Sequence, residues 1–265
     1  MDSKKKKIFL KVFITLSFLI ILLSSLLNIY SYRDSLKNRI KKTVQNNFIE
    51  KENVYRSKRY SEYDFNKEHR YWVNQISKGG YILFFRHAER EKWPIVMAYD
   101  AYELSEKLSA ENTSISKAVC LSDRGIEQAK LMGFYIKLSK MYISEIISSP
   151  SCRARMTAKL AFGGIDKISR NLIHYGPWNE TRKEHLDEVR NILENIEIKK
   201  NHNVIISAHN GVIQKYLFDK IEDETKDFNI EEGGFYIIAK EKNKIIFKKK
   251  INSFYYFSRY LIKRN

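Results

Sequence analysis

Cysteine is nearly absent: the 265 residues hold two, Cys120 and Cys152. Two cysteines make neither a paired-cysteine zinc site nor a disulfide framework. They read as free or buried thiols, with mutual pairing open to them only in an oxidising compartment. Pro150-Ser151-Cys152 is followed by no second cysteine, so His87-Ala88-Glu89 is not half of a zinc deaminase centre. Also missing are a Walker loop, a dinucleotide fingerprint and any internal repeat. Net charge is missing from the middle of the chain. Of the formal +17, residues 1–32 carry +4, residues 33–70 carry +5 and residues 240–265 carry +8, leaving 71–239 neutral. A nucleic-acid reader would carry basic and aromatic residues through its recognition element, so no nucleic-acid partner is expected. Basic flanks beside an apolar anchor suit an anionic membrane surface; the plain alternative is that they only confer solubility.

What is present is strongly partitioned. Lys4–Lys7 precede Val12–Tyr32, 21 residues without a charge, of which Val12–Leu27 are almost wholly apolar. A helix needs about 20 apolar residues to cross a bilayer, so residues 1–32 are expected to be a tail and a single-pass transmembrane helix. A cleaved signal peptide shares the basic start and apolar middle. No small-x-small cleavage site follows Leu27, however, where the chain reads NIYSYRDS, and no lipobox cysteine exists. Cationic residues stand on both sides of the segment, so they leave its orientation open. A short amino-terminal tail with the folded mass exported is the arrangement adopted. Residues 33–70 read as a basic stalk, 71–250 as the folded domain and 251–265 as a basic C-terminal tail.

Within 71–250, strand and helix patterns alternate. Tyr81–Phe85 is a continuous apolar run behind Gly79-Gly80, as in a strand buried on both faces. Tyr71–Lys78 reads as a short helix. Glu91–Val119, around Trp93-Pro94, is an excursion of a length that is functional or disordered in compact domains. Ser122 suits an N-cap and Asp123 a first turn, for a helix burying Ile126, Ala129, Met132, Gly133 and Ile136. Further strands are expected at Ile143–Ile147, Lys167–Ile173 and Val204–Ser207. Helices are expected at Cys152–Ala161, Thr181–Ile198 and Gly211–Phe218, and a closing hairpin at Gly234–Lys240 and Lys244–Lys250. This alternation predicts an α/β, three-layer sandwich with a mostly parallel central sheet, preceded by the transmembrane helix.

In such a sheet the carboxyl ends of the strands share one edge, where ligands bind. Here the strands run out into Arg86-His87, into Arg153 one turn along a helix, and into His209-Asn210-Gly211. Two guanidiniums are permanent cations whose planar forks match phosphate oxygens. Helix starts at Ser151 and Gly211 would add backbone N–H donors for an anion. A neutral imidazole among these groups can attack phosphorus. A second, protonated imidazole would stabilise charge developing on the equatorial oxygens. Singly, each feature is weak: His209 fits a core or capping position, and Arg153 with Arg155 fits a surface helix. Their coincidence at three strand ends is the signal. His69, His174, His185 and His202 have no such context and default to core or solvated positions.

RHAE at 86–89, LSDRGIEQA at 121–129, SSPSCRARMTA at 148–158 and IISAHNG at 205–211 occur in that order. Together they resemble the histidine phosphatase (phosphoglycerate-mutase-like) superfamily over roughly residues 79–240. Ala88 stands where that family usually has glycine, a variant of its smaller phosphatase branches. RHAER, CLSDRG and the histidine–asparagine pair look most similar to the lipopolysaccharide core heptose phosphatases. The resemblance implies a phosphomonoesterase without cofactor or metal. His87 would be the nucleophile that becomes a phosphohistidine. Arg86 and Arg153 would bind the phosphoryl group, and His209 with Asn210 would complete the phosphate pocket. A general acid must protonate the leaving oxygen: Glu180 is the candidate and Glu184 the runner-up, while Glu89 is expected to orient the nucleophile. The expected substrate is a phosphorylated small molecule, glycan or lipid, with envelope sugar or lipid phosphates favoured for an extracytoplasmic domain. Two other readings stay open: a phosphohistidine (phosphoprotein) phosphatase, and a non-catalytic anchored module that binds phosphorylated ligands. A decayed pocket would be expected to have lost one of Arg86, His87, Arg153 and His209, and all four are present.

Overall fold

The computed structural model of the chain describes residues 62–91, 119–174, 181–224 and 227–262. The expected membrane segment Val12–Leu27, the stalk up to Ser61 and the excursion over 92–118 lie outside the described residues. Among those described, no helix is long and apolar enough to cross a membrane.

The apolar run at Tyr81 makes the central strand, β1 (Tyr81–Arg86). Strand side chains alternate between faces, so Ile82 and Phe84 join one buried cluster while Leu83 and Phe85 join another. A strand apolar on both faces must be covered on both. The first cluster is closed by Val189 and Leu193 of a helix over Arg182–Asn195. The second is closed by four helices, over Glu62–Lys78, Asp123–Ser139, Cys152–Phe162 and Phe254–Ile262. In chain order these helices are α1 (Glu62–Lys78), α2 (Asp123–Ser139), α3 (Cys152–Phe162), α4 (Arg182–Asn195) and α5 (Phe254–Ile262).

The other strands are β2 (Ile143–Ser148), β3 (Lys167–Ile168), β4 (Asn203–Ala208), β5 (Lys220–Ile221), β6 (Phe235–Glu241) and β7 (Lys244–Ile251). The sheet order is β3-β2-β4-β1-β6-β7-β5. β3, β2, β4 and β1 are mutually parallel, and β6 runs antiparallel to both β1 and β7. The expected mixed α/β architecture with a central, largely parallel sheet is therefore the one observed.

Four local expectations change. The strand expected at Lys167–Ile173 is only β3, after which Arg170–Leu172 turn as a 3₁₀ helix. No α-helix follows β4. Gly211 sits at φ +83°, a left-handed conformation that interrupts a right-handed helix, and only Lys215–Leu217 form a 3₁₀ turn. α1 crosses the expected stalk–domain boundary, because its His69 is buried edge-on to Phe257 and Tyr260 and its Glu68 meets Lys249 at 2.5 Å. The expected basic tail is α5, whose Phe254, Phe257 and Leu261 are buried; apolar burial outweighs the sparse charge there. The compact unit accordingly begins at Glu62.

Part of the basic flank is consumed inside this unit. Lys248 pairs with Glu222 and Glu241, Lys249 with Glu68 and Asp223, and Lys250 with Asp227. Such partly exposed pairs contribute about 0–1 kcal/mol each. Their main effect is to leave less cationic surface than the sequence suggests.

His69 supplies a test of stability against pH. Burial first, and Lys249 second, lower its pKa from 6.5 to about 4. The unfolded chain binds the proton more readily, so stability is complete above pH 6.5 and falls as pH drops toward about 4. A shift of this size corresponds to on the order of 3 kcal/mol. Thermal unfolding followed between pH 7 and 4 should show the loss, and His69→Phe should flatten the slope. An unchanged slope would rule out His69 as its source.

Candidate active site

Strand pairing assembles the site. Arg86 at the end of β1 lies in register with Ala208 at the end of β4, and the His87 N–H donates to the Ala208 carbonyl at 2.9 Å. The residues that follow, His87 and His209, therefore meet, with ring centroids 5.2 Å apart. Ser148 of β2 lies in register with Ser207 of β4. This brings Ser149, Ser151 and the first turn of α3, with Arg153, to the same edge. His87, Arg153 and His209 are all buried.

The hydrogen bonds fix the imidazole tautomers. His87 Nδ1 lies 2.8 Å from the Ala88 carbonyl oxygen. A carbonyl only accepts, so Nδ1 carries the proton and Nε2 keeps the lone pair a nucleophile needs. His209 is the reverse. Its Nδ1 lies 3.2 Å from Arg153 Nη2, and arginine only donates. The proton of neutral His209 is then on Nε2, facing the hydroxyls of Ser149 at 2.8 Å and Ser151 at 3.1 Å. Burial first, then Arg153, holds both histidines well below their usual pKa. Both causes, together with the Arg153 donor on Nδ1, favour the neutral form of His209.

A second layer holds these groups in place. Thr157 Oγ1 accepts from the Ala88 N–H at 2.9 Å and donates to the Arg153 carbonyl at 2.8 Å, linking the nucleophile's strand to α3. Arg155 is buried, not on a surface helix, and its Nε donates to the Pro150 carbonyl at 2.8 Å. Arg86 donates to the Ile230 carbonyl at 2.6 Å and meets Glu232 at 3.4 Å. Gln128 of α2 accepts from the Glu89 N–H at 2.8 Å and donates to the Glu232 carbonyl at 2.9 Å. The Ser122 hydroxyl caps α2 by accepting from the Gly125 N–H at 3.1 Å. Gly125 is required because a Cβ there would overlap the backbone of Glu89; the helix start is pressed against the chain leaving β1.

No family model matches the chain, and no curated protein matches it. Solved structures do. A structure of the protein histidine phosphatase SixA complexed with tungstate aligns at TM-score 0.44 and 15% identity, over 65% of this chain and 96% of that one. The alpha-ribazole phosphatase from Shigella flexneri aligns at TM-score 0.43 and 15% identity, over 65% of this chain and 96% of that one. A putative alpha-ribazole-5'-P phosphatase from Escherichia coli aligns at TM-score 0.43 and 15% identity, over 66% of this chain and 97% of that one.

Of the residues singled out in the sequence, Arg86, His87, Arg153 and His209 converge on one edge. Asn210 does not offer its side chain to that pocket. Its amide donates to Asn229 at 3.1 Å and accepts from the Ile230 N–H at 3.2 Å, bracing the approach to β6. Glu180 lies outside the described residues. Glu184 is committed to the α4 capping box with Thr181, whose N–H and hydroxyl hold its exposed carboxyl below the usual range. Glu89 meets Arg124 at 3.3 Å.

Cys120 and Cys152 are not free thiols: they form a disulfide, with Cα atoms 4.8 Å apart. The bond ties the residues before α2 to the residue preceding Arg153.

Sequence reasoning passed over His174, whose ring lies 6.0 Å from that of His209 and whose Nδ1 lies 2.7 Å from the Asn210 carbonyl oxygen. It also passed over the serine pair on His209. The SSPS string was a readable sign of the latter; nothing local marks His174. His185, by contrast, is a core residue bonded to the Asn171 carbonyl.

Proposed function

We propose that the protein is a phosphomonoesterase that works through a phosphohistidine on His87. The observation that carries this reading is the orientation of a buried, neutral imidazole. His87 Nδ1–H is held by the Ala88 carbonyl, which directs the basic Nε2 to the edge shared with Arg153 and His209. In this reading Arg153 and Arg86 bind the phosphoryl oxygens as planar cations. Nε2 of His87 attacks phosphorus, the ester oxygen leaves, and water then attacks the phosphohistidine to release phosphate. An incoming dianion also raises the pKa of His209, so that its ring can become a donor when charge builds on the equatorial oxygens. The likeness of RHAE, LSDRGIEQA, SSPSCRARMTA and IISAHNG to the histidine phosphatases supports the same chemistry. The purified protein should release phosphate from p-nitrophenyl phosphate and carry an acid-labile phosphoryl group during turnover. Binding of phosphate with no release would instead favour the non-catalytic module.

The finer proposal is a membrane-anchored enzyme whose domain lies outside the cytoplasm and acts on envelope sugar or lipid phosphates. The apolar Val12–Leu27 segment supports the anchor. The Cys120–Cys152 disulfide supports the compartment, because such bonds persist in oxidising surroundings and are rare in the cytosol. Protein alkylated during cell lysis should expose no reactive thiol until a reductant is added. Recovery of both cysteines already labelled would place the domain on the reducing side.

A further inference from the structure

We propose that Thr157 is the positioning residue that holds the nucleophilic ring of His87 in place relative to Arg153. The inference rests on the phosphatase reading above, and it gives a role to a residue of SSPSCRARMTA which that reading leaves without one. Thr157 is completely buried in α3, one helical turn after Arg153. A threonine inside a helix commonly donates to the carbonyl four residues back, and Thr157 Oγ1 does so to Arg153 at 2.8 Å. That bond uses the hydroxyl's single proton, so towards other partners the oxygen can only accept. It accepts from the N–H of Ala88 at 2.9 Å, 69 positions away in the chain. One oxygen atom thereby joins the segment that carries the nucleophile to the helix that carries the arginine.

The point of attachment gives the bond its consequence. Ala88 is itself buried, and its carbonyl accepts the Nδ1 proton of His87 at 2.8 Å. The residue whose C=O sets the ring thus has its N–H fixed by Thr157. Other backbone contacts at this strand end come from elsewhere. The His87 N–H donates to the Ala208 carbonyl, the His87 carbonyl accepts from the Gly233 N–H, and the Glu89 N–H donates to Gln128. None of these three involves α3. Valine has the outline of threonine without the hydroxyl, so Thr157→Val takes the acceptor from a buried N–H while those three contacts keep the strand end in place. The Ala88 carbonyl can then turn, and the ring loses its single tautomer and its aim. The chemical step suffers, whereas phosphate binding by the two guanidiniums does not.

The experiment uses the full-length protein, with p-nitrophenyl phosphate as substrate and inorganic phosphate as competing ligand. Thr157→Val should lower kcat/KM and the single-turnover rate of phosphoryl transfer to His87 by about 10- to 100-fold, the effect of a buried donor left without its acceptor in the transition state. The inhibition constant for phosphate should move by less than about threefold, because both charged forks are retained. Thr157→Ser keeps the hydroxyl and should return kcat/KM to within about threefold of the unaltered protein. Long-range ¹H–¹⁵N NMR on ¹⁵N-histidine-labelled protein reads the ring itself. The His87 signals, identified by their loss in His87→Ala, should show the Nδ1–H form, and Thr157→Val should mix in the Nε2–H form. Equal falls in kcat/KM and in phosphate affinity would show a general loosening of the site and overturn the proposal. Unchanged rates in Thr157→Val, or a serine variant as impaired as the valine one, would overturn it as well. Should the valine variant not fold, as read by circular dichroism, Thr157→Ala carries the same test. An Nε2–H ring in the unaltered protein would overturn the proposal without any variant. If the unaltered protein releases no phosphate, the phosphatase reading fails, and the imidazole signals still decide whether Thr157 sets the ring.

Discussion

Replacing His87 by alanine should abolish turnover of p-nitrophenyl phosphate, by at least about 10³-fold, the scale on which enzymes lose rate when a nucleophile is removed. No second imidazole can stand in. His209 is turned the other way, with Nδ1 on Arg153 and its proton directed at Ser149 and Ser151. The fold should survive. The backbone of His87 keeps its bonds to the Ala208 carbonyl and the Gly233 N–H, and the neighbouring Ala88 keeps Thr157. Phosphate release and thermal unfolding, measured on the same preparation, separate loss of chemistry from loss of structure. Labelling with a ³²P-phosphomonoester should give an acid-labile phosphoryl group on the native protein and none on the variant. Retained activity, or retained label, would place the nucleophile elsewhere.

Arg153→Met should lower kcat/KM by about 10²- to 10³-fold, the usual consequence of removing one charge-stabilising donor from a preorganised site. Arg153 is a fully buried cation whose guanidinium reaches His209 Nδ1 at 3.2 Å, on the helix that starts at the same sheet edge. Arg153→Lys keeps the charge but not the two-pronged geometry, so most of the loss should remain. The electrostatic consequence can be read separately. Arg153 is the second cause, after burial, of the lowered pKa of both His87 and His209. Removing that cation must raise both values, shifting the imidazole signals in an NMR titration upward in pH. Activity near wild type in Arg153→Met would exclude Arg153 from phosphoryl binding. Unmoved imidazole titrations would exclude the electrostatic link.

Read alone, the sequence already pointed to the central strand, because a five-residue apolar run rich in β-formers behind Gly79-Gly80 is too short for a buried helix. It also determined the cap of α2, since Ser122 and Asp123 act within one helical turn, and it named Arg86, His87, Arg153 and His209, because strand ends of a parallel sheet share an edge. What it could not determine depends on contacts between distant residues or on burial. The disulfide between Cys120 and Cys152, the serine pair on His209 and the place of His174 each need two loops brought together by β2, β4 and the 3₁₀ turn before His174. The lowered pKa of His209 follows from burial first and Arg153 second, which no local pattern encodes. The helix expected after β4 failed for a single backbone reason, the left-handed Gly211. That turn places the Asn210 carbonyl under His174. Tertiary structure alone thus decided the shape of the loop that follows His209.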